Sequence, residues 1–217
     1  ADVYEVISCE PLPAYIDVPE LPAIDDPGGR NELRALQVIT QRVCHAARLD
    51  ELLDEVLSSM DAALGFGHSM FLLPDGSDDA LVVAACRGYP ASFIGARFGA
   101  CDGLVGTVAE RRRLIRIGAV SEDLRYGRAV RGRLMQQDDV EGVGHEVPLI
   151  GLPDAQSQLA LPLVVGDQLV GVLLTESRDR LAFDDWDEAF LEIVANQVAV
   201  RLDRLRLDET PADDASD

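Results

Sequence analysis

Residues 158–176, QLALPLVVGDQLVGVLLTE, hold two apolar runs separated by a short polar stretch. The two runs read as strands, 157–165 and 169–176. Gly166, Asp167 and Gln168 between them are typical of the turn of a β-hairpin. The stretch therefore predicts an antiparallel pair of strands.

Two helices are predicted near the start of the chain, because apolar residues recur there at helical spacing. The first begins at Asn31, a candidate N-cap residue. The second runs from about Leu49 to Leu64, with Asp50 as its expected cap and Gly65 at its end.

Between these helices and the hairpin, the period of the apolar residues changes to that of strands. We predict strands at 68–73, 80–86 and 114–117, with a helix at 103–110 between the last two. After the hairpin a helix is expected from Trp186 to Leu207, capped by Asp184 or Asp185. Because hairpins dominate this order, the predicted fold class is α+β, a central antiparallel sheet flanked by helices.

The composition of the two ends sets the predicted domain limits. Residues 1–30 hold five prolines, seven acids and one base, and are expected to form an extended or disordered arm. We expect residues 31–207 to form one domain and residues 208–217 to form a disordered acidic tail.

The charge of the chain excludes some partners. There are 19 basic and 39 acidic residues, a net charge of −20, and every basic residue is Arg. Such a field repels nucleic acid and anionic membranes. The chain shows no apolar run of membrane-spanning length and no signal peptide, so a cytoplasmic location is expected. Cys9, Cys44, Cys86 and Cys101 show no Cys-x-x-Cys spacing and are expected to be reduced.

Three segments together resemble the GAF domain family. They are GACDGLVGTVAE at 99–110 with RLIRI at 113–117, the hairpin at 158–176, and FDDWDEAFLEIVANQVAVRL at 183–202. The resemblance extends loosely over residues 33–207. It implies a ligand pocket between one face of the sheet and the covering helix and loops, and dimers whose first and last helices form a bundle.

Apolar residues of the first and last helices recur at spacings of three and four, which is typical of a coiled-coil seam. A dimer interface is therefore predicted at Leu36, Ile39, Val43, Leu191, Ala195, Val198, Leu202 and Leu205. The alternative is that both stripes simply cover the sheet.

The chemistries known in GAF proteins find little support in these residues. Methionine sulfoxide reduction requires cysteines at positions that here hold Gly95, Val105 and Gly151. The pair Cys44-His45 precedes the first strand, the wrong place for bilin attachment. His145 lies several residues earlier than a haem ligand would. Cyclic-nucleotide domains carry Asn-Lys about where Glu176-Ser177 stand here. No catalytic residue, metal or required cofactor is predicted.

Eight of the arginines fall between residues 111 and 133, where they concentrate positive potential in an acidic chain. Pairing with surface acids would also explain them. The hypothesis is a small anionic ligand, because guanidinium groups bind carboxylate and phosphate in a bidentate manner. The predicted ligand contacts are Phe98, Arg116, Tyr126, Arg128, Arg131, His145 and Gln158.

The function predicted from the sequence is that of a non-enzymatic, homodimeric sensory domain. It would bind a small molecule and signal in trans to a partner protein, such as a kinase or transcription regulator. The alternative is a ligand-free protein-interaction or assembly subunit.

Overall fold

The computed structural model describes residues 30–76, 80–99, 103–119 and 151–209. Its helices are α1 (Arg30–His45), α2 (Leu49–Leu64), α3 (Gly103–Arg111) and α4 (Asp185–Glu209). Its strands are β1 (Ser69–Pro74), β2 (Leu81–Arg87), β3 (Arg97–Phe98), β4 (Ile115–Ile117), β5 (Ser157–Val165) and β6 (Gln168–Ser177). A short 3₁₀ helix, Ala91–Phe93, lies between β2 and β3.

The six strands form one sheet in the order β3-β2-β1-β6-β5-β4, and every neighbouring pair is antiparallel. The β5–β6 hairpin turns at Gly166 and Asp167, because Val165 pairs with Gln168. On its other edge β6 pairs with β1, a strand from much earlier in the chain, so the connection from β1 to β6 is a crossover. This confirms the predicted α+β fold with an antiparallel sheet.

One face of the sheet, here called the helix face, is covered by α1, α2 and α4. Alternate residues of the strands point to this face, as the period of two requires. They include Phe71 of β1 and Leu161 of β5, which belong to one buried apolar cluster with Ile39 of α1 and Val198 of α4. All four side chains are at most 1% exposed. This layer holds the larger apolar core of the described chain.

The opposite face, here called the α3 face, has a smaller apolar cluster. Met70, Leu72 and Leu174 of the sheet meet Val105 and Val108 of α3. Tyr89 and Phe93, which follow β2, pack against the same cluster. Among the described residues, one short helix and a connecting segment cover this face.

The helix caps differ in part from the predictions. Helix α1 begins at Arg30, so Asn31 is the second residue of the helix and does not cap it. Helix α2 is preceded by Arg48, whose side chain makes no cap hydrogen bond. The Asp50 carboxylate is bound by the Arg48 guanidinium at 3.0 Å and does not cap α2. Gly65 ends α2 in a left-handed conformation, as predicted.

The cap of α4 is as predicted. Asp184 Oδ1 accepts hydrogen bonds from the backbone N–H groups of Trp186 (2.8 Å) and Asp187 (3.0 Å). The Asp187 carboxylate in turn accepts the N–H of Asp184 at 2.9 Å, which completes a reciprocal cap.

The residues predicted for a dimer interface are placed in the core of the single chain. Leu36 is partly buried, and the others are at most 6% exposed without a second chain: Ile39, Val43, Leu191, Ala195, Val198, Leu202 and Leu205. This placement corresponds to the alternative interpretation, in which both stripes cover the sheet. These side chains have almost no remaining surface to offer a partner.

Candidate functional site

Glu176 is a charged residue buried at the end of β6, on the α3 face. Its side chain is on the same face as Val172 and Leu174, two and four residues earlier in the strand. Glu176 is 2% exposed. Burial of a carboxylate is costly unless its oxygens are hydrogen-bonded, so its partners define the site.

Three donors from separate parts of the chain meet this carboxylate. The Tyr89 hydroxyl donates to Oε2 at 2.6 Å, and the backbone N–H of Leu152 donates to the same oxygen at 2.7 Å. Gln158 Nε2 donates to Oε1 at 2.5 Å. Gln158 can reach it because Gln158 and Glu176 are directly paired across β5 and β6. We call Tyr89, Gly151, Leu152, Gln158 and Glu176 the Glu176 cluster.

Glycine at position 151 is a steric requirement of this cluster. A Cβ added to Gly151 would lie 1.9 Å from Glu176 Oε2. The backbone φ is +97°, a conformation that side chains rarely adopt. Gly151 therefore allows the segment before β5 to approach the buried carboxylate closely.

The electrostatics of the cluster follow from burial. Desolvation raises the pKa of the Glu176 carboxyl, while the hydrogen bonds from Tyr89, Gln158 and Leu152 act in the opposite direction. Burial, followed by the nearby Glu176 charge, raises the pKa of the Tyr89 hydroxyl. Tyr89 thus stays a neutral donor, and the carboxylate is held by three uncharged donors.

A second layer of side chains fixes Tyr89. Its ring contacts His68 edge-on, with centroids 5.7 Å apart, and Phe93 at 5.4 Å. The Arg178 guanidinium lies 3.1 Å from His68 Nε2 and 2.8 Å from the Asp154 carboxylate. Burial and the Arg178 charge lower the pKa of His68, so its Nε2 is available as an acceptor.

The structure places three of the predicted contact residues. Gln158 lies in the Glu176 cluster, and Phe98 is half-buried against the apolar cluster of the α3 face. Arg116 lies apart from them. Its guanidinium pairs with Asp185 at 2.8 Å and Glu188 at 2.9 Å, both on α4. Tyr126, Arg128, Arg131 and His145 lie outside the described residues.

The described cysteines show no sign of activation. Cys44 is exposed on α1. Burial raises the pKa of the Cys86 thiol, which disfavours the reactive thiolate. Cys9 and Cys101 lie outside the described residues.

Tyr89, Leu152 and Glu176 were not predicted as site residues. A signal for Glu176 was present, because its position in β6 has the parity of buried Val172 and Leu174. Tyr89 and Leu152 gave no such signal, since each reaches the carboxylate from a segment without a regular period.

Comparison with known proteins identifies the family. The sequence model of the family described as GAF domain matches residues 46–203, which is most of the chain. The chain belongs to the GAF domain family. Among curated proteins, this GAF domain is 27% identical over 175 residues to the Nif-specific regulatory protein of Azotobacter vinelandii. The match covers 77% of this chain and 30% of that protein, so the chain spans less than a third of its relative.

Solved structures show the same fold. A free methionine-R-sulfoxide reductase from Neisseria meningitidis, solved with its substrate, matches with a TM-score of 0.68 and 19% identity over 87% of this chain and 98% of that one. The GAF domain of a phosphoenolpyruvate-protein phosphotransferase from Coxiella burnetii matches with a TM-score of 0.64 and 22% identity over 82% and 95%. At these identities the likeness shows the fold alone.

None of the helices within residues 30–76, 80–99, 103–119 and 151–209 combines the length and the hydrophobicity of a membrane-spanning segment. Within those ranges, His, Cys, Asp and Glu side chains form no group of three that could hold a metal ion.

Proposed function

We propose that this GAF domain is a sensory module that binds a small molecule on the α3 face and regulates a partner protein. The observation that carries the proposal is the Glu176 cluster. It places hydrogen-bonded polar groups beside an apolar cluster. This combination of polar and apolar groups orients small ligands in pockets. The cluster also joins β5, β6, Tyr89 and the Gly151–Leu152 segment, so a ligand placed there would act on several segments at once.

The regulatory role is supported by the curated relative, a Nif-specific regulatory protein. We propose a kinase or transcription regulator as the effector and α1 and α4 as the route of the signal. Helix α4 packs on β5, and α1 packs on α4, so a shift in β5 would reach both helices. A ligand can bias such a shift only by its differential affinity for the two states.

We also propose that the domain is not an enzyme. The resemblance to the reductases of the family implies cysteines at positions 95, 105 and 151, which here hold glycine, valine and glycine. Turnover of free methionine sulfoxide that is lost when all four cysteines are replaced by Ser would contradict this.

The expected charge of the ligand stays a prediction. Of the arginines that suggested an anion, Arg116 is paired with acids of α4, and Arg128 and Arg131 lie outside the described residues. A ligand screen must therefore include neutral and cationic compounds as well as anions.

The proposal is tested by native mass spectrometry on protein purified from its host, followed by a thermal-shift screen of metabolites. The first variant, Gln158→Ala, removes one donor of the Glu176 cluster. The second, Gln37→Ala, makes the same change at an exposed residue of α1. We expect a ligand whose effect falls in the first variant and persists in the second. Protein that stays empty and unresponsive through the screen would favour the ligand-free assembly subunit.

For the homodimer, exposed apolar residues of α1 and α4 offer a different interface from the one expected. Ile193, Val200 and Leu207 are 44%, 61% and 68% exposed and recur every seven residues on α4. Leu33 of α1 is 70% exposed. We propose that a second copy covers these residues.

Light scattering tests this interface. Val200→Glu would place a charge in the buried seam and should convert a dimer to monomers. Leu181→Glu, which changes an equally apolar and 77% exposed residue away from α1 and α4, should leave the mass unchanged. Equal masses for the parent and the Val200 variant would exclude this seam.

A further inference from the structure

A cleft separate from the Glu176 cluster lies between α4 and the end of β5 that leads into the hairpin turn. It has a volume of about 690 Å³, within the range of about 300–1,000 Å³ that small-molecule sites occupy. Its walls come from residues 112–114 after α3, from β5 and its turn, and from Glu192, Ala195 and Asn196 of α4.

Two arginines at this cleft have no partner in the described chain. Among the other described arginines, some also form no ion pair, namely Arg34, Arg111 and Arg204, whereas six pair with carboxylates: Arg42, Arg48, Arg87, Arg97, Arg116 and Arg178. Arg112 and Arg113 are exposed and form neither an ion pair nor a side-chain hydrogen bond with any described residue. Although the chain has a net charge of −20, two adjacent guanidinium groups without ion-pair partners create a local positive potential that attracts an anion.

The backbone at Arg112 is also unusual. Its φ is +52°, in the left-handed region, and its N–H is bonded to the carbonyl of Val108 at 2.8 Å. A residue other than glycine is strained in this conformation. Arginine at this position therefore costs some stability relative to glycine.

The remainder of the lining restricts the class of anion. Leu114, Pro162 and Val164, which are partly buried, form its apolar wall, and the buried Leu161 and Ala195 lie behind them. Glu192 and Asp167 also line the cleft, and their charges repel anions that carry several negative charges. The lining therefore suits a single carboxylate on a small apolar body.

We propose that this cleft is a second ligand site, and that it binds a small monocarboxylate with an apolar body through Arg112 and Arg113. The carboxylate accepts charge-assisted hydrogen bonds from the two guanidinium groups. The apolar body packs against Leu114, Pro162 and Val164, beside Glu192 and Asn196 of α4. An occupant would thus contact α4, which we propose as part of the route of the signal. The Glu176 cluster lies on the opposite face of the sheet.

The test uses three probes that share one apolar body: leucine, 4-methylpentanoate and 3-methylbutylamine. Binding is followed by amide chemical shifts in ¹⁵N-labelled protein. We expect one or both carboxylates to bind with a dissociation constant of about 1 mM or tighter and to shift the amides of residues 112–114, 164–167 and 192–196. The amine should not bind. Leucine and 4-methylpentanoate together distinguish an amino acid from a simple carboxylic acid as the source of the group.

The site variant is Arg112→Gly with Arg113→Gln, since glycine relieves the strained backbone and keeps the protein folded. It should weaken carboxylate binding at least about tenfold. The control is Arg111→Gln, which changes a neighbouring exposed arginine that does not line the cleft. The proposal is overturned if neither carboxylate binds with a dissociation constant of about 1 mM or tighter, or if the amine binds as well. Shifts that map elsewhere, or an equal weakening in the control, would also overturn it.

Discussion

The two faces of the sheet are built on different physical principles. On the helix face, three helices bury an apolar core with almost no exposed surface, exemplified by Phe71, Leu161 and Val198. On the α3 face, a smaller apolar cluster borders a buried carboxylate held by three donors. The first face makes the fold stable, and the second sacrifices some of that stability for a defined polar site. The comparison predicts that mutations on the two faces fail in different ways.

The largest expected effect is on the helix face. Phe71→Ala removes a fully buried ring and should lower the free energy of unfolding by about 3–5 kcal/mol. Urea denaturation measures the change. The control is Val200→Ala, an exposed residue of α4, which should change stability by less than about 0.5 kcal/mol under conditions where the chain is monomeric. Similar costs for both would contradict the assignment of this face as the core.

Gly151→Ala should have the next largest effect, because it forces a methyl group into the Glu176 carboxylate. We expect a loss of about 1–3 kcal/mol in the free energy of unfolding. Gly166→Ala is a matched control: φ is also positive, at +60°, but nothing lies within 4 Å of its added Cβ. Its loss reports backbone strain alone. If the two variants lose the same stability, the close approach at Glu176 is wrong.

The pH dependence of stability tests the buried charge. Since burial raises the pKa of Glu176 in the folded state, the folded protein binds this proton more tightly than the unfolded chain. As the pH falls from 7 towards the ordinary value of 4.5, the parent should gain stability relative to Glu176→Gln, which does not titrate there. Urea midpoints measured for both proteins across this range give the difference. A relative loss would mean that the hydrogen bonds outweigh burial.

The smallest expected effect is that of one hydroxyl. Tyr89→Phe removes one of three donors to Glu176 and should cost about 1 kcal/mol. The same change made in the Glu176→Gln background should cost a different amount, because the two residues are in direct contact. Additive losses would show that the 2.6 Å hydrogen bond is no stronger to the carboxylate than to the amide oxygen of Gln.

Sequence reasoning predicted the regular part of this molecule well. The ends of the central hairpin agree with prediction within one residue, as do the ends of α2 and α3. Such elements are encoded locally by period, turn residues and caps. The two-residue strand β3 and the 3₁₀ helix before it were missed, because neither is long enough to show a period.

The site was harder to predict for a physical reason. Tyr89, Leu152, Gln158 and Glu176 meet through tertiary contacts up to 87 residues apart in the chain, and one donor is a backbone N–H. The stripes on α1 and α4 illustrate a related limit. Residues such as Val198 and Leu202 have the same spacing in a coiled-coil seam and in a core helix, so only the packing distinguishes the two.

The central claim, that a small molecule binds on the α3 face, is tested most directly by amide hydrogen–deuterium exchange on ligand-loaded and ligand-stripped protein. We expect the ligand to slow exchange of the amides of Tyr89 and Leu152 and of residues 158–160 and 172–176. Exchange in α2 should not change. Slower exchange confined to the helix face or to the cleft under α4, with the Glu176 cluster unaffected, would contradict it.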